Sequence, residues 1–127
     1  MHLLLSPLSV RQSAKKMFVL NLNVYRNSHY RTLNTVKIRY KALMVDQIMK
    51  LPKMGKVIIY YKLFPKSHRL TDIGNVISVH KKFFEDALVE LGILEDDNYK
   101  FVIGSAEEFG KVDKDNPRVE ILIKEIE

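Results

Sequence analysis

The chain has no cysteine, so disulfide staples, thiolate nucleophiles and cysteine-ligated zinc are excluded, and a reducing, cytoplasmic setting is expected. Stability must then come from packing or from a partner subunit. Long apolar runs are missing too. The first, Leu3 to Val10, is broken by Ser6 and Pro7 and has no basic segment before it. It is too short to span a bilayer and makes a poor secretory signal. The five glycines form neither a P-loop nor a dinucleotide fingerprint, so no nucleotide cofactor is expected. His2, His29, His68 and His80 are too scattered for zinc spacing or a nucleophile triad. Acids are nearly absent from the first seventy positions. Fourteen Lys or Arg stand there against Asp46 alone, and seven stand against fourteen acids from Thr71 onward, so +13 and −7 give the net +6.

That division joins a half able to track a polyanion to a half able to hold a metal, a combination suited to an enzyme acting on nucleic acid. Charges that merely solvate a surface would give the same totals. The length of 127 residues fits one domain, residues 1–127, with residues 1–16 as a loosely ordered leader. Met17, ahead of the apolar run Phe18 to Leu22, offers a second candidate start.

Asn23 to Asn34 mixes Arg26, His29, Tyr30 and Arg31 without helical periodicity and reads as a loop whose side chains can meet phosphates and bases. Asn34 is the expected cap of a helix running to Leu51, stopped by Pro52, with Val36, Tyr40, Met44, Ile48 and Leu51 facing the core. Lys37 and Lys41, one turn apart with Arg39 nearby, predict a positive strip. Lys56 to Phe64 reads as a strand buried on both faces, followed by a basic loop carrying Lys66, His68 and Arg69. A second helix is predicted over 75–91, capped by Gly92. Tyr99 to Ile103 and Arg118 to Ile126 read as strands of an antiparallel hairpin. The class is α+β, a small mixed or antiparallel sheet with two main helices.

On the second helix Asn75, Lys82 and Asp86 fall in one stripe beside the apolar face, with Asp72 just before its start. A lone Asp there is ordinarily a cap. Glu95, Asp96 and Asp97 follow the helix, and such a cluster is ordinarily solvated surface. If Asp97 meets Asp72, hard oxygen ligands favour Mg2+ or Mn2+ over zinc, an ion suited to phosphodiester cleavage. Lys82 would stabilise the developing charge, or else pair with Asp86. His68 is the better candidate for substrate contact, and His80 falls on the apolar side as a structural residue. Arg26, Lys37, Arg39, Lys41, Lys66, Arg69 and Lys81 are the candidates for DNA phosphates.

The run "DIGN…KKFFEDALVELGILEDD" resembles the RusA-type Holliday junction resolvases, most strongly over 72–97, with weaker agreement at "VYRNSHYRTLNTVKIRY" and "RVEILI". The resemblance implies a homodimeric α+β nuclease, often phage- or prophage-encoded, that works in the cytoplasm of a bacterial host. It would cut four-way DNA junctions with Mg2+ or Mn2+. It carries the family's catalytic aspartates onto Asp72 and Asp97, its lysine onto Lys82, its asparagine onto Asn75, and the aspartate before "AL" onto Asp86. Two departures stand out. Gly74 replaces a second aspartate of the first motif, which leaves Asp96, Glu95 or Asp86 as substitutes, or a noncatalytic DNA-binding descendant. Asn75 and Lys82 are one helical turn further apart than in the family, and if that turn belongs elsewhere Ser78 takes the lysine's place.

Overall fold

A computed structural model describes residues 1–126. The central element is β4 (Lys56–Phe64), bounded as its β-branched and aromatic run predicts. Its burial alternates instead of being continuous: Val57, Ile59, Tyr61 and Leu63 are buried, whereas Tyr60 on the other face is 38% exposed. The strand is therefore covered on one face, not two, since both long helices pack against the same side. β4 pairs antiparallel with β6 (Arg118–Ile126) and parallel with β5 (Val102–Phe109), and β1 (His2–Ser6) adds to β6, giving the order β1-β6-β4-β5. Register places Val119, Ile121 and Ile123 opposite Leu63, Tyr61 and Ile59, with Leu4 opposite Ile121, so one face becomes a continuous apolar layer.

The expected hairpin of the last two strands is not formed, because β4 lies between them. The 110–117 connection passes over the end of β4, where Gly110 N–H donates to Leu63 O at 2.8 Å and Asp113 N–H to Pro65 O at 2.8 Å. β5 also begins three residues later than predicted, at Val102 instead of Tyr99, and runs on to Phe109. As a charged, exposed edge strand it lacks the alternation that would mark its extent.

α2 (Tyr30–Ile48) buries Val36, Tyr40, Met44 and Ile48 as expected. Its cap, however, is His29, whose Nδ1 accepts from Arg31 N–H at 3.2 Å, so the helix starts before Asn34 and ends before Leu51. The supposed loop before it holds α1 (Leu22–Arg26), capped by Asn21. Only part of α1's surface is covered, which is why its periodicity is faint. The segment 1–16 is not a loose leader. It supplies β1 and β2 (Ser9–Ser13), which pairs with β3 (Lys16–Val19), and buries Leu4 and Val10. Gln47 also closes β1's outer edge, accepting from Leu5 N–H at 2.7 Å and donating to Leu5 O at 2.9 Å.

α3 (Ile73–Glu90) crosses from the end of β4 to the start of β5. Asp72 caps it. Gly92, at φ 81°, ends it in a Schellman turn, with Gly92 N–H donating to Val89 O and Ile93 N–H to Leu88 O. Among the described residues no helix is long and apolar enough to cross a membrane.

Candidate functional site

α3 lies beside the free edge strand β5, and a shallow cleft of about 390 Å³ runs along it, lined by Ser78, Lys81, Lys82, Glu85, Asp86 and Asp97. Lys81 bridges the two elements, its Nζ donating to Ser105 Oγ at 2.8 Å. Asp97 is delivered to the cleft because the Schellman turn reverses the chain and Ile93 and Leu94 bury beneath it. Asp96 shapes that turn, accepting from Asp97 N–H at 2.7 Å and from Asn98 Nδ2 at 3.0 Å.

Two of the acids titrate above their ordinary range. Asp97 is pushed up by burial first, then by its contact with Asp96 and by the charges of Asp86 and Asp96. Glu85 is pushed up mainly by burial and by Asp97 and Asp86, against the pull of Lys81 and of Tyr61, whose hydroxyl donates to Glu85 Oε2 at 3.0 Å. Carboxylates crowded together with their charges only partly offset form a place where a cation or a proton is favoured.

The cleft brings Asp97, Asp86, Lys81 and Lys82 together. It does not include Asp72. Asp72 Oδ1 accepts from Gly74 N–H at 2.9 Å at the start of α3, and Asp97 lies beside Glu85 and Asp86, thirteen and fourteen residues along the same helix. At 1.5 Å per residue the two aspartates are about 20 Å apart, so within one chain they do not share an ion. Near Asp72 a different carboxylate approaches: a Cβ on Gly74 would lie 3.4 Å from Asp72 Oδ1 and 3.5 Å from Glu107 Oε1. Glu107 thus borders the space that an aspartate at 74 would fill. Asn75 stands in the same first turn, half-buried, and its N–H donates to Asp72 O at 3.1 Å. Glu95 is exposed in the turn before Asp97.

The two lysines of the predicted basic strip on α2 are neutralised, whereas Arg39 meets only a backbone carbonyl and keeps its charge. Lys37 Nζ pairs with Asp86 at 2.8 Å, Lys41 Nζ with Glu90 at 2.7 Å, and Arg39 donates to Arg11 O at 3.0 Å. Asp86 thus pairs with Lys37 and not with Lys82, the alternative that the helix spacing offered for that lysine. Lys82 instead stands over the ring of Tyr25, 5.5 Å from its centroid. Arg26, Lys66 and Arg69 are exposed and have no ion-pair partner among the described residues.

His80 is fully buried, as its place on the wheel predicts. Its Nδ1 is 2.7 Å from Ser6 Oγ, which is 2.7 Å from Tyr40 Oη. A Ser–His pair at that distance has the spacing of a nucleophile and its base. Both residues are 0% exposed, so no substrate reaches them and the network is structural. Sequence reasoning missed Glu85, although a carboxylate eight residues after Ile77 and three before Leu88 falls on α3's apolar stripe. It also missed Tyr25 and Glu107, which only tertiary contacts bring to these sites.

Among the described residues no three acidic or histidine side chains are grouped so as to hold an ion. The donor chemistry still fits Mg2+ or Mn2+, which take oxygen ligands and commonly bind one or two carboxylates, the rest of the shell being water and substrate phosphate. Compared with models of known families and with curated proteins, the chain matches none.

Proposed function

We propose that the chain is a structure-selective DNA endonuclease that resolves four-way junctions with Mg2+ or Mn2+, acting as a homodimer. The supporting observation is the cleft in which Asp97 and Asp86 face Lys81 and Lys82 on an open surface. Asp97 would hold the ion, with Asp86, which lines the same cleft, as a second carboxylate of the same chain. When bound, the ion lowers the pKa of a water and offsets charge on the cleaved phosphate. Lys82, exposed on the cleft wall, is placed to stabilise the same charge.

Asp72, about 20 Å away along α3, enters this reading in one way: Asp72 of the partner subunit meets Asp97 across a two-fold axis. Closed two-fold dimers are common, and two coordinated cuts suit a two-fold junction. The test is cleavage of labelled four-way junctions. Asp72→Asn and Asp97→Asn homodimers should each fail to nick. A mixture of the two variants, exchanged into mixed dimers, should regain nicking, because one of its two sites then carries both native aspartates. If Asp72→Asn alone retains full cleavage, Asp72 is only a helix cap and the shared site is wrong.

A noncatalytic branched-DNA-binding protein is the second reading. It is favoured by Gly74 in place of a carboxylate and by the Asp86–Lys37 pair at 2.8 Å, which occupies one of the two candidate ligands. Tight junction binding with no nick in either metal would decide for it.

A further inference from the structure

Behind the cleft wall lies a second recess of about 240 Å³, lined by Tyr25, Tyr30, Asn34, Lys37, Lys82 and Asp86. Lys82 and Asp86 line both hollows, so the recess adjoins the cleft that holds Asp97 across these two side chains. Its volume lies below the roughly 300–1,000 Å³ typical of sites for drug-sized ligands, so it suits one planar group and not a whole cofactor.

The walls have a specific chemistry. Tyr30 is 62% exposed although it opens a 19-residue helix, and its ring lies 4.5 Å from that of His29, 31° from parallel. His29 is itself fixed as the helix cap, so Tyr30 rests on an anchored ring. Arg31 stands 5.9 Å from the Tyr30 centroid, and Lys82 stands over Tyr25. Aromatic faces interleaved with cations are how proteins hold bases and their phosphates without reading sequence. The Asp86 oxygen not held by Lys37 and the Asn34 amide add an acceptor and a donor–acceptor pair for a base edge. A base inside a duplex is covered on both faces by its neighbours and cannot enter.

We propose that this recess takes one unstacked nucleobase, drawn from a branch point or single strand, stacked on Tyr30 while its flanking phosphate lies toward Lys82 and the cleft. The inference rests on the DNA-directed reading above and adds the feature selected: an unpaired nucleotide beside the cut.

The test uses the full chain without divalent metal. Binding is measured to a four-way junction and a single strand, each carrying a fluorescent adenine analogue, and to a blunt duplex. Tyr30→Ala is expected to weaken junction and single-strand binding by about 5- to 150-fold, the loss of one base–aromatic stack. It should leave duplex binding unchanged and abolish the fluorescence change on binding. Tyr30→Trp should preserve both. If Tyr30→Ala binds all three DNAs as the wild type does, or weakens all three equally, the base site is overturned while the nuclease reading stands. If the wild type binds none of them, both readings fall.

Discussion

At the scale of single residues, the buried chain Tyr40–Ser6–His80 has the most direct consequence for stability. Burial holds His80 far below its usual range, at about 3, and raises Tyr40 well above its own. Unfolding returns His80 to about 6.5, so below that pH the unfolded chain takes up a proton that the folded chain refuses. Stability is expected to fall as pH drops from about 6.5 toward 3, by about 1.4 kcal/mol per pH unit from this group. Glu85, whose folded pKa is raised, acts in the opposite sense. Between its ordinary pKa and the raised one the folded chain holds the proton more tightly, so its contribution is lost as pH rises. His80→Asn should be less stable at pH 7 for want of packing, yet lose less of its stability between pH 7 and 5 than the wild type does. Urea midpoints for both proteins at the two pH values check this, and equal losses would refute the assignment. His80's burial was legible from its place on the α3 wheel. Its partner Ser6, seventy-four positions away, was not, because nothing local marks a serine as the end of a core hydrogen bond.

At the scale of elements, the sequence carried the long amphipathic and β-branched runs well and the short or exposed ones poorly. The Val36, Tyr40, Met44, Ile48 stripe emerges from periodicity because burial of one face enforces it, and the limits of β4 from its β-branched and aromatic run closed by Pro65. α1 and β5 are mostly uncovered, so solvent accepts any polar residue there and the period fades. His29 was not recognised as a cap because its ring replaces the usual short oxygen side chain. Gly110 shows a constraint of element packing that its sequence context hides. A Cβ there would come within 2.7 Å of the Phe64 ring and 3.1 Å of Lys62 Cγ, and Arg118 presses on that ring from 4.1 Å, itself tied to Asp113 and Glu120 at 2.7 Å each. Gly110→Ala is expected to cost about 1–3 kcal/mol by overpacking. Gly55→Ala, with nothing within 4 Å of the added carbon, should stay within about 0.5 kcal/mol. Denaturant unfolding of both variants makes the comparison.

At the scale of the whole molecule, the charge division survives folding but is redistributed. Lys37 and Lys41 spend their charge on Asp86 and Glu90, whereas Lys66 and Arg69 remain exposed. Arg69→Ala should therefore reduce the log–log salt slope of DNA binding by about 0.9, one released counterion. Lys41→Ala should leave that slope unchanged, and fluorescence titrations at three salt concentrations distinguish them. A larger effect from Lys41 would mean that DNA displaces Glu90. What the sequence by itself determined was the α+β class, the runs that become α2, α3, β4 and β6, the Gly92 helix end and the ordinary reading of Asp72 as a cap, since each is written in spacing within a few turns of chain. Only the tertiary structure decided the strand order, with β4 between β5 and β6, and hence that α3 runs as a rigid spacer along the sheet with Asp72 at one end and Asp97 near the other. The reason is that a helix fixes the distance between its ends by its length, whereas which strand lies beside which depends on the faces that must be buried together.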